Sequence, residues 1–391
     1  MGWCTTFDLD QFAAAADGYL RSRAAENTLL LSAAQAARYG WRNPVSGQQP
    51  GVPGPGLLLG WWEPPDGGEP RGAFVHDPTA PLLISGRAPE TGSALAATLA
   101  KMGRHVFGVD APTEIADAFA AAWSQRAGTT VRAHRNLRVY RLAGEPQGTG
   151  GLSRATPPLG MPVLPGNAAW PPPELPGPAG RLRVAAAEDQ GLLGAWLAAF
   201  AAEAAERISS PSDLAADLIS YGGAVFWEVP PKPGRFRDAA HYLPIPHHRD
   251  PAPSGEPAHQ PVALATLTRP VAGTVRISTV YTLPERRHGG YATALTQAVS
   301  RALVAGAGRG GAPGPAPGVL GPMACHVNEV VMITDRNRPD RWGGRFGYQL
   351  VSERAVLRFG PVTGPMPRTQ PSGAMPRLPT GPLPRLPRLR R

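Results

Sequence analysis

The chain has little cysteine, almost no lysine and no long apolar run, and each shortage removes a class of protein. Its two cysteines, Cys4 and Cys325, stand far apart and without CxxC spacing. They provide neither a disulfide framework nor a zinc site, which suits a reducing cytoplasm. No stretch approaches the roughly 18 consecutive apolar residues of a membrane span. The first residues carry Asp8, Asp10 and Asp17 in place of a basic start, so they do not read as a signal peptide. Only Lys101 and Lys232 are lysines among 39 basic residues, a bias toward Arg, Ala, Gly and Pro that a GC-rich coding sequence produces. That bias carries no mechanistic weight. The expectation is a cytoplasmic protein without membrane contacts.

Acids are scarce in one place. The formal charge is +10, but six arginines lie between Pro361 and Arg391 with no acid among them, leaving about +4 for the remainder. Nucleic-acid binding by the folded domains is therefore not implied, since a basic face is its footprint.

What is abundant is Gly and Pro, 47 of each, and their clustering marks linkers. Residues 143–180 lack helical or strand periodicity and read as a semi-rigid linker. It separates a domain at 1–142 from one at 181–360, and 361–391 forms a basic, Pro-rich, disordered tail. The tail contains Pro376-Arg377-Leu378-Pro379 and Pro384-Arg385-Leu386-Pro387, a P-x-x-P pattern that favours polyproline II and is a candidate for contact with an acidic partner.

Both domains read as mixed α/β. In the first, Gly56–Trp62 and Gly72–Val75 pair as strands across a turn. Ile115, Ala118, Phe119, Ala122 and Trp123 share a helical face after Pro112. Val131–Leu142 closes the sheet. His76 and His105 are isolated and read as structural. The second domain begins with a strand at Arg181–Ala185 and a helix striped by Leu192, Leu193, Trp196, Leu197 and Phe200. A helix at Pro211–Ser220 follows, then strands near Ala224–Val229, Pro261–Thr268 and Val275–Thr282. After these come a helix facing Leu295, Ala298, Val299, Ala302 and Leu303 inward, a strand at Glu329–Thr334, and one or two strands within Tyr348–Phe359. Pro230–Ala258 and Gly306–Pro322 are insertions. His241, His247, His248 and His259 lie in or beside the first; they suit a solvated loop better than a metal site, lacking helical register and a carboxylate set.

Between the Val275–Thr282 strand and the helix near Tyr291 stands Leu-Pro-Glu-Arg-Arg-His-Gly-Gly. Arg286, Arg287 and His288 precede a helix N-terminus that is itself about half a positive charge. Such crowding makes sense around an anion held by backbone N–H groups that Gly289 and Gly290 leave accessible. The segment has no lysine for a P-loop and no G-x-G-x-x-G for a dinucleotide fold. It is a phosphate cradle of another kind.

Arg287-His288-Gly289-Gly290-Tyr291-Ala292 resembles the R/Q-x-x-G-x-G/A motif of the GNAT superfamily of N-acetyltransferases, with Arg287, Gly290 and Ala292 in its defining positions. Val331–Asp335 resembles that family's next strand, and Phe346-Gly347-Tyr348 the G-F/Y that ends the following helix. The resemblance implies a GNAT-like acyl-CoA N-acyltransferase fold over 181–360, with 1–142 a degenerate copy as in tandem members from GC-rich bacteria. It implies that acetyl-CoA lies with its pyrophosphate on Arg287, His288, Gly289, Gly290, Tyr291 and Ala292. Its pantetheine arm would lie along Val280, Tyr281 and Thr282, near Asn337. The chain departs from the pattern at His288, where many members have glycine, and at Trp342-Gly343, where the family's tyrosine general acid is expected.

The leading expectation is transfer of an acetyl group to a small-molecule or peptide amine by direct attack. General acid–base help contributes typically 10²–10⁴-fold, and orientation of two bound substrates can contribute more. No catalytic residue is assigned; Glu228 and Tyr281 are candidate bases by strand position only, and a structural role suits each better. The alternatives are a coenzyme A-binding sensor or partner-binding module, and a protein that meets nucleic acid through its tail.

Overall fold

The computed structural model describes residues 2–39, 56–64, 66–143, 177–204, 208, 210–230, 259–307, 320, 327–337 and 346–361. The elements run β1 (Gly2–Thr6), α1 (Leu9–Arg21), α2 (Thr28–Tyr39), β2 (Leu58–Glu63), β3 (Gly72–His76), β4 (Leu82–Gly86), α3 (Pro89–Lys101), β5 (Gly108–Pro112), α4 (Thr113–Ala127) and β6 (Thr129–Ala143). After the linker come β7 (Arg181–Val184), α5 (Gln190–Ala204), α6 (Pro211–Ser220), β8 (Ala224–Val229), β9 (Gln260–Leu267), β10 (Thr274–Thr282), α7 (Tyr291–Ala307), β11 (Glu329–Asp335) and β12 (Gln349–Pro361). The second half thus repeats the first, β-α-α-β-β-β-α-β, before its closing strand. The histidines between 231 and 258, the Trp342-Gly343 pair and the tail after 361 lie outside the described residues.

All twelve strands form one mixed sheet in the order β1-β2-β3-β4-β5-β12-β6-β11-β10-β9-β8-β7. The order shows an exchange. β6 closes the first half in sequence, yet it pairs with β11 from Glu329↔Ala143 to Asp335↔Leu137. β12, from the second half, pairs with β5 from Arg354↔Pro112 to Arg358↔Gly108. The two exchanged strands pair with each other at the centre. Residues 144–176, most of the expected linker, lie outside the described residues, and one sheet joins the strands on either side of them.

Alternation along the strands sorts the helices onto two faces. Leu295, Val299 and Leu303 of α7 pack on Val275, Ile277, Val330 and Met332 together with Tyr140 and Leu142 of β6. Leu95, Leu99, Ile115, Phe119 and Trp123 of α3 and α4 pack on Phe74, Ile84 and Val109 together with Ala355 and Leu357 of β12. On the opposite face, α1 and α2 cover Leu59, Trp61, Ala73 and Val75, and α5 and α6 cover Ala224, Phe226, Leu264 and Tyr281. Each half's core is completed by the other half's last strand.

Three helices precede Pro112, where the sequence reading places none. α1 buries Phe12, Ala16 and Leu20, a stripe one residue wide in which alanine stands for a larger apolar group. Asp8 caps it by accepting from the N–H groups of Asp10 at 2.7 Å and Gln11 at 3.2 Å. No helix among the described residues is long and apolar enough to cross a membrane.

Candidate functional site

β10 carries alternating β-branched and aromatic residues and pairs with β9 along its length, through a bulge between Ile277 and Thr279. With β11 it pairs only from Thr274↔Glu329 to Ile277↔Met332. Past Ile277 the two parallel strands separate, and no described strand takes β10's second edge. The Leu283 N–H donates to Val262 O at 3.2 Å. Since bonded and non-bonded pairs alternate in an antiparallel ladder, Tyr281 spends its backbone on β9. Val280 and Thr282 turn theirs toward the open edge. A row of main-chain donors and acceptors lines the splay.

The chain then makes one tight turn at Pro284–Arg286 and reaches α7. His288 adopts φ 65° and Gly290 φ 80°. A glycine at 290 meets that demand without cost, whereas a β-carbon at 288 does not. Residues 287–290 are exposed. Ala294 is the first residue of α7 whose N–H meets a carbonyl of its own turn, Gly290 O at 3.0 Å. The N–H groups of Tyr291, Ala292 and Thr293 precede it and point out of the helix start. The first turn holds no acid to compete for them. That geometry suits an anion.

Arg287 does not point its guanidinium into this cradle. Nη2 donates to both oxygens of Glu203 on α5, at 2.7 and 2.8 Å, and Nε donates to Thr282 O at 3.1 Å. The group lies 5.8 Å from the centre of the Tyr281 ring. Arg287 therefore latches the loop to α5 and to the splayed strand, leaving the anion to backbone groups. Pro178 stands 3.5 Å from where a β-carbon on Gly290 would sit.

Tyr281 packs against Trp196 at 5.9 Å between ring centres. Its hydroxyl pKa is raised by burial, and Glu203 adds to the shift, so at neutral pH it is a phenol and no base. Glu228 is bound by Arg181 at 3.1 Å and by Arg183. Two guanidiniums on one buried carboxylate hold β7 to β8 and leave no free base there. Asn337 follows β11 and is exposed; its N–H donates to Asp335 Oδ1 at 2.9 Å, a local turn at the same end of the parallel pair as the cradle. Phe346 and Tyr348 are buried beneath α7, with the Tyr348 hydroxyl 2.8 Å from Ser300 Oγ.

The first half has the same opening, and it is filled. β4 pairs with β5 only at Leu82↔Val109 and Leu83↔Asp110. Into the gap comes Arg354 from the exchanged strand β12, 1% exposed. Its Nε donates to Asp110 Oδ1 at 2.7 Å, and its Nη2 to Asp110 O at 2.8 Å and Ile84 O at 3.4 Å. The β4–α3 connection is only Arg87-Ala88, and α3 opens on Pro89-Glu90, with an acid where an anion would sit. A β-carbon on Gly92 would come within 2.4 Å of Ile115 O, so α3 and α4 close on each other. Sequence reading missed this contrast. Its signal was connection length: two residues after β4 against eight, 283–290, after β10.

No protein-family model matches the chain, and no curated protein does. Solved structures similar to it include a GCN5-related N-acetyltransferase from Sphaerobacter thermophilus, at 15% identity and TM-score 0.41, covering 82% of this chain and 90% of that one. A GCN5-related N-acetyltransferase from Kribbella flavida is 16% identical with TM-score 0.38, covering 73% and 86%. A tandem GNAT protein from the clavulanic acid biosynthesis pathway is 13% identical with TM-score 0.40, covering 92% and 98%.

Proposed function

We propose that this chain is a GNAT-type acyltransferase with one working site, formed by β10, the 283–290 loop and α7, and that it moves an acetyl group from acetyl-CoA to an amine. The observation that carries the reading is the join of an unpaired strand edge to a helix start with free N–H groups. The backbone of Val280 and the N–H of Thr282 offer that edge to the amide-bearing pantetheine arm, the Thr282 carbonyl being held by Arg287, and the N–H groups at 288–293 offer a cradle to the pyrophosphate. In the expected chemistry the neutral amine attacks the thioester carbonyl. Its oxyanion takes a hydrogen bond from a backbone N–H on the splayed edge, and the thiol of coenzyme A leaves. The residues 1–142 act as support, donating β6 to the working half. The acceptor is a small molecule or peptide, and the setting is the cytoplasm.

Isothermal calorimetry of the full chain with acetyl-CoA tests this. The expected result is one site per chain, weakened about 100-fold in the Arg287→Ala, Gly290→Glu variant. Absence of binding, or binding indifferent to those changes, overturns the reading. A coenzyme A-binding sensor is the second reading, motivated by Trp342-Gly343 where the family has its tyrosine. Tight binding without thiol release across a panel of amines would favour it.

A further inference from the structure

Arg276 lies on β10 just before the bulge, on the face covered by α1 and α2, and is 1% exposed. A guanidinium keeps its charge at neutral pH, and burial, the largest influence on it, brings its pKa down only to about 10. Nη1 donates to Thr28 Oγ1 at 3.3 Å. Nε and Nη2 are buried and have no hydrogen-bond partner. The charges that act on it are Asp110, which attracts, and Arg354, which repels; the Tyr221 phenol also faces it. Asp110 is already bound by Arg354, and the Tyr221 hydroxyl donates to Leu267 O at 2.8 Å. The buried group of three charges is left with one positive charge in excess.

A second feature points the same way. Thr28, the residue that Arg276 touches, is the first residue of α2, a 12-residue helix with no acid in its first turn. Glu26, just before it, pairs with Arg23 at 3.8 Å. A helix N-terminus and an unpaired guanidinium thus meet inside the protein, and both favour an anion. The two free donors also have a shape. Nε–H and Nη2–H lie along one edge of the planar guanidinium and point in parallel, which matches the two oxygens of a carboxylate.

We infer that the side edge of Arg276, with Thr28 and the start of α2, forms a buried binding site for a carboxylate-bearing ligand between β10 and α2. The site is separate from the cradle, and its test uses no coenzyme A, so it stands whether or not the transferase reading does.

Sodium formate is the probe. Thermal unfolding of the full chain, at constant ionic strength, is followed as formate replaces chloride. The expected result is a saturable rise in the midpoint with formate, absent in Arg276→Met, which removes both charge and donors. Where Arg276→Met fails to fold, Arg276→Lys serves, since it keeps the charge and loses the parallel edge. Crystals soaked in formate are expected to show it against Nε and Nη2. A midpoint in the unmodified chain that is flat in formate, or that responds equally to chloride, overturns the inference whatever the variants do.

Discussion

Beyond Leu83, β4 stops pairing with β5, and beyond Ile277, β10 stops pairing with β11. Two like openings in one sheet meet different ends. In the first half Arg354 and Asp110 occupy the gap, and a two-residue connection brings an acid to the helix start. In the second half no described strand takes the edge, only Arg287 holds its Thr282 carbonyl, and an eight-residue loop delivers bare N–H groups. A fold repeated within a chain can leave one of its openings uncovered. The other copy can spend its opening on holding the two halves together.

The largest effect expected from disturbing this contrast is on the plug. Arg354→Met leaves the Asp110 carboxylate buried without its partner, and denaturant unfolding should register a loss of about 3–5 kcal/mol. Pairing it with Asp110→Leu should restore most of that loss, because two apolar groups replace the ion pair. A single variant as stable as the parent would mean that the pair is not a structural plug. Neither variant should create a second coenzyme A site, since the first half has no cradle.

A pH effect of similar size belongs to the first half. His76, 1% exposed on β3, has its pKa pushed from the usual 6.5 down to about 4, by burial first and by Arg104 second. Between those two values the unfolded chain binds a proton that the folded chain does not. Stability is therefore complete above about pH 6.5 and falls as the pH drops toward 4, by about 3 kcal/mol in all. Urea unfolding at pH 7 and pH 4.5 should show the drop, and His76→Gln should flatten it. No difference in slope between parent and variant would assign the acid sensitivity elsewhere.

In the second half, Gly290→Glu with Arg287→Ala forces a side chain onto a φ of 80° and sets a carboxylate among the N–H groups. Calorimetry should show acetyl-CoA affinity lower by about 100-fold, near 2.7 kcal/mol. The smallest effect expected is at His288, whose φ of 65° is strained for any residue with a β-carbon. His288→Gly should stabilise the chain by about 1 kcal/mol in thermal unfolding. Destabilisation there would show that the imidazole makes a contact worth more than the strain.

Much of the second half was legible because its pattern is strong. The helix at Pro211–Ser220 and the strand at Ala224–Val229 fall at the residues that periodicity marks, and α7 begins at Tyr291. The turn at 287–292 stood out because Gly, Arg and His cluster within one short stretch of chain. The first half was harder. Ala16 on α1 and Ala96 on α3 are core residues, but alanine marks a helix without marking its buried face. Apart from Asn337, the candidate residues 280–282 and 287–292 lie within one short stretch of chain, so their neighbourhood needs no fold to establish it. Glu203 is 84 residues from Arg287, and Asp110 is 244 from Arg354. No local pattern can announce such partners, and the bases suggested by strand position, Glu228 and Tyr281, prove to be held in structural contacts.

Taken alone, the sequence determined most elements of the second half and the Gly-rich turn that leads into α7, because periodicity, Gly and Pro act over a few neighbouring residues. Only the tertiary structure decided which strand each half would close with. It decided too that Arg287 would latch to Glu203, that one splay would be plugged, and that Arg276 would be buried with two donors to spare. Strand pairing and ion pairing join residues far apart in the chain, and their outcome depends on what the rest of the sheet brings within reach.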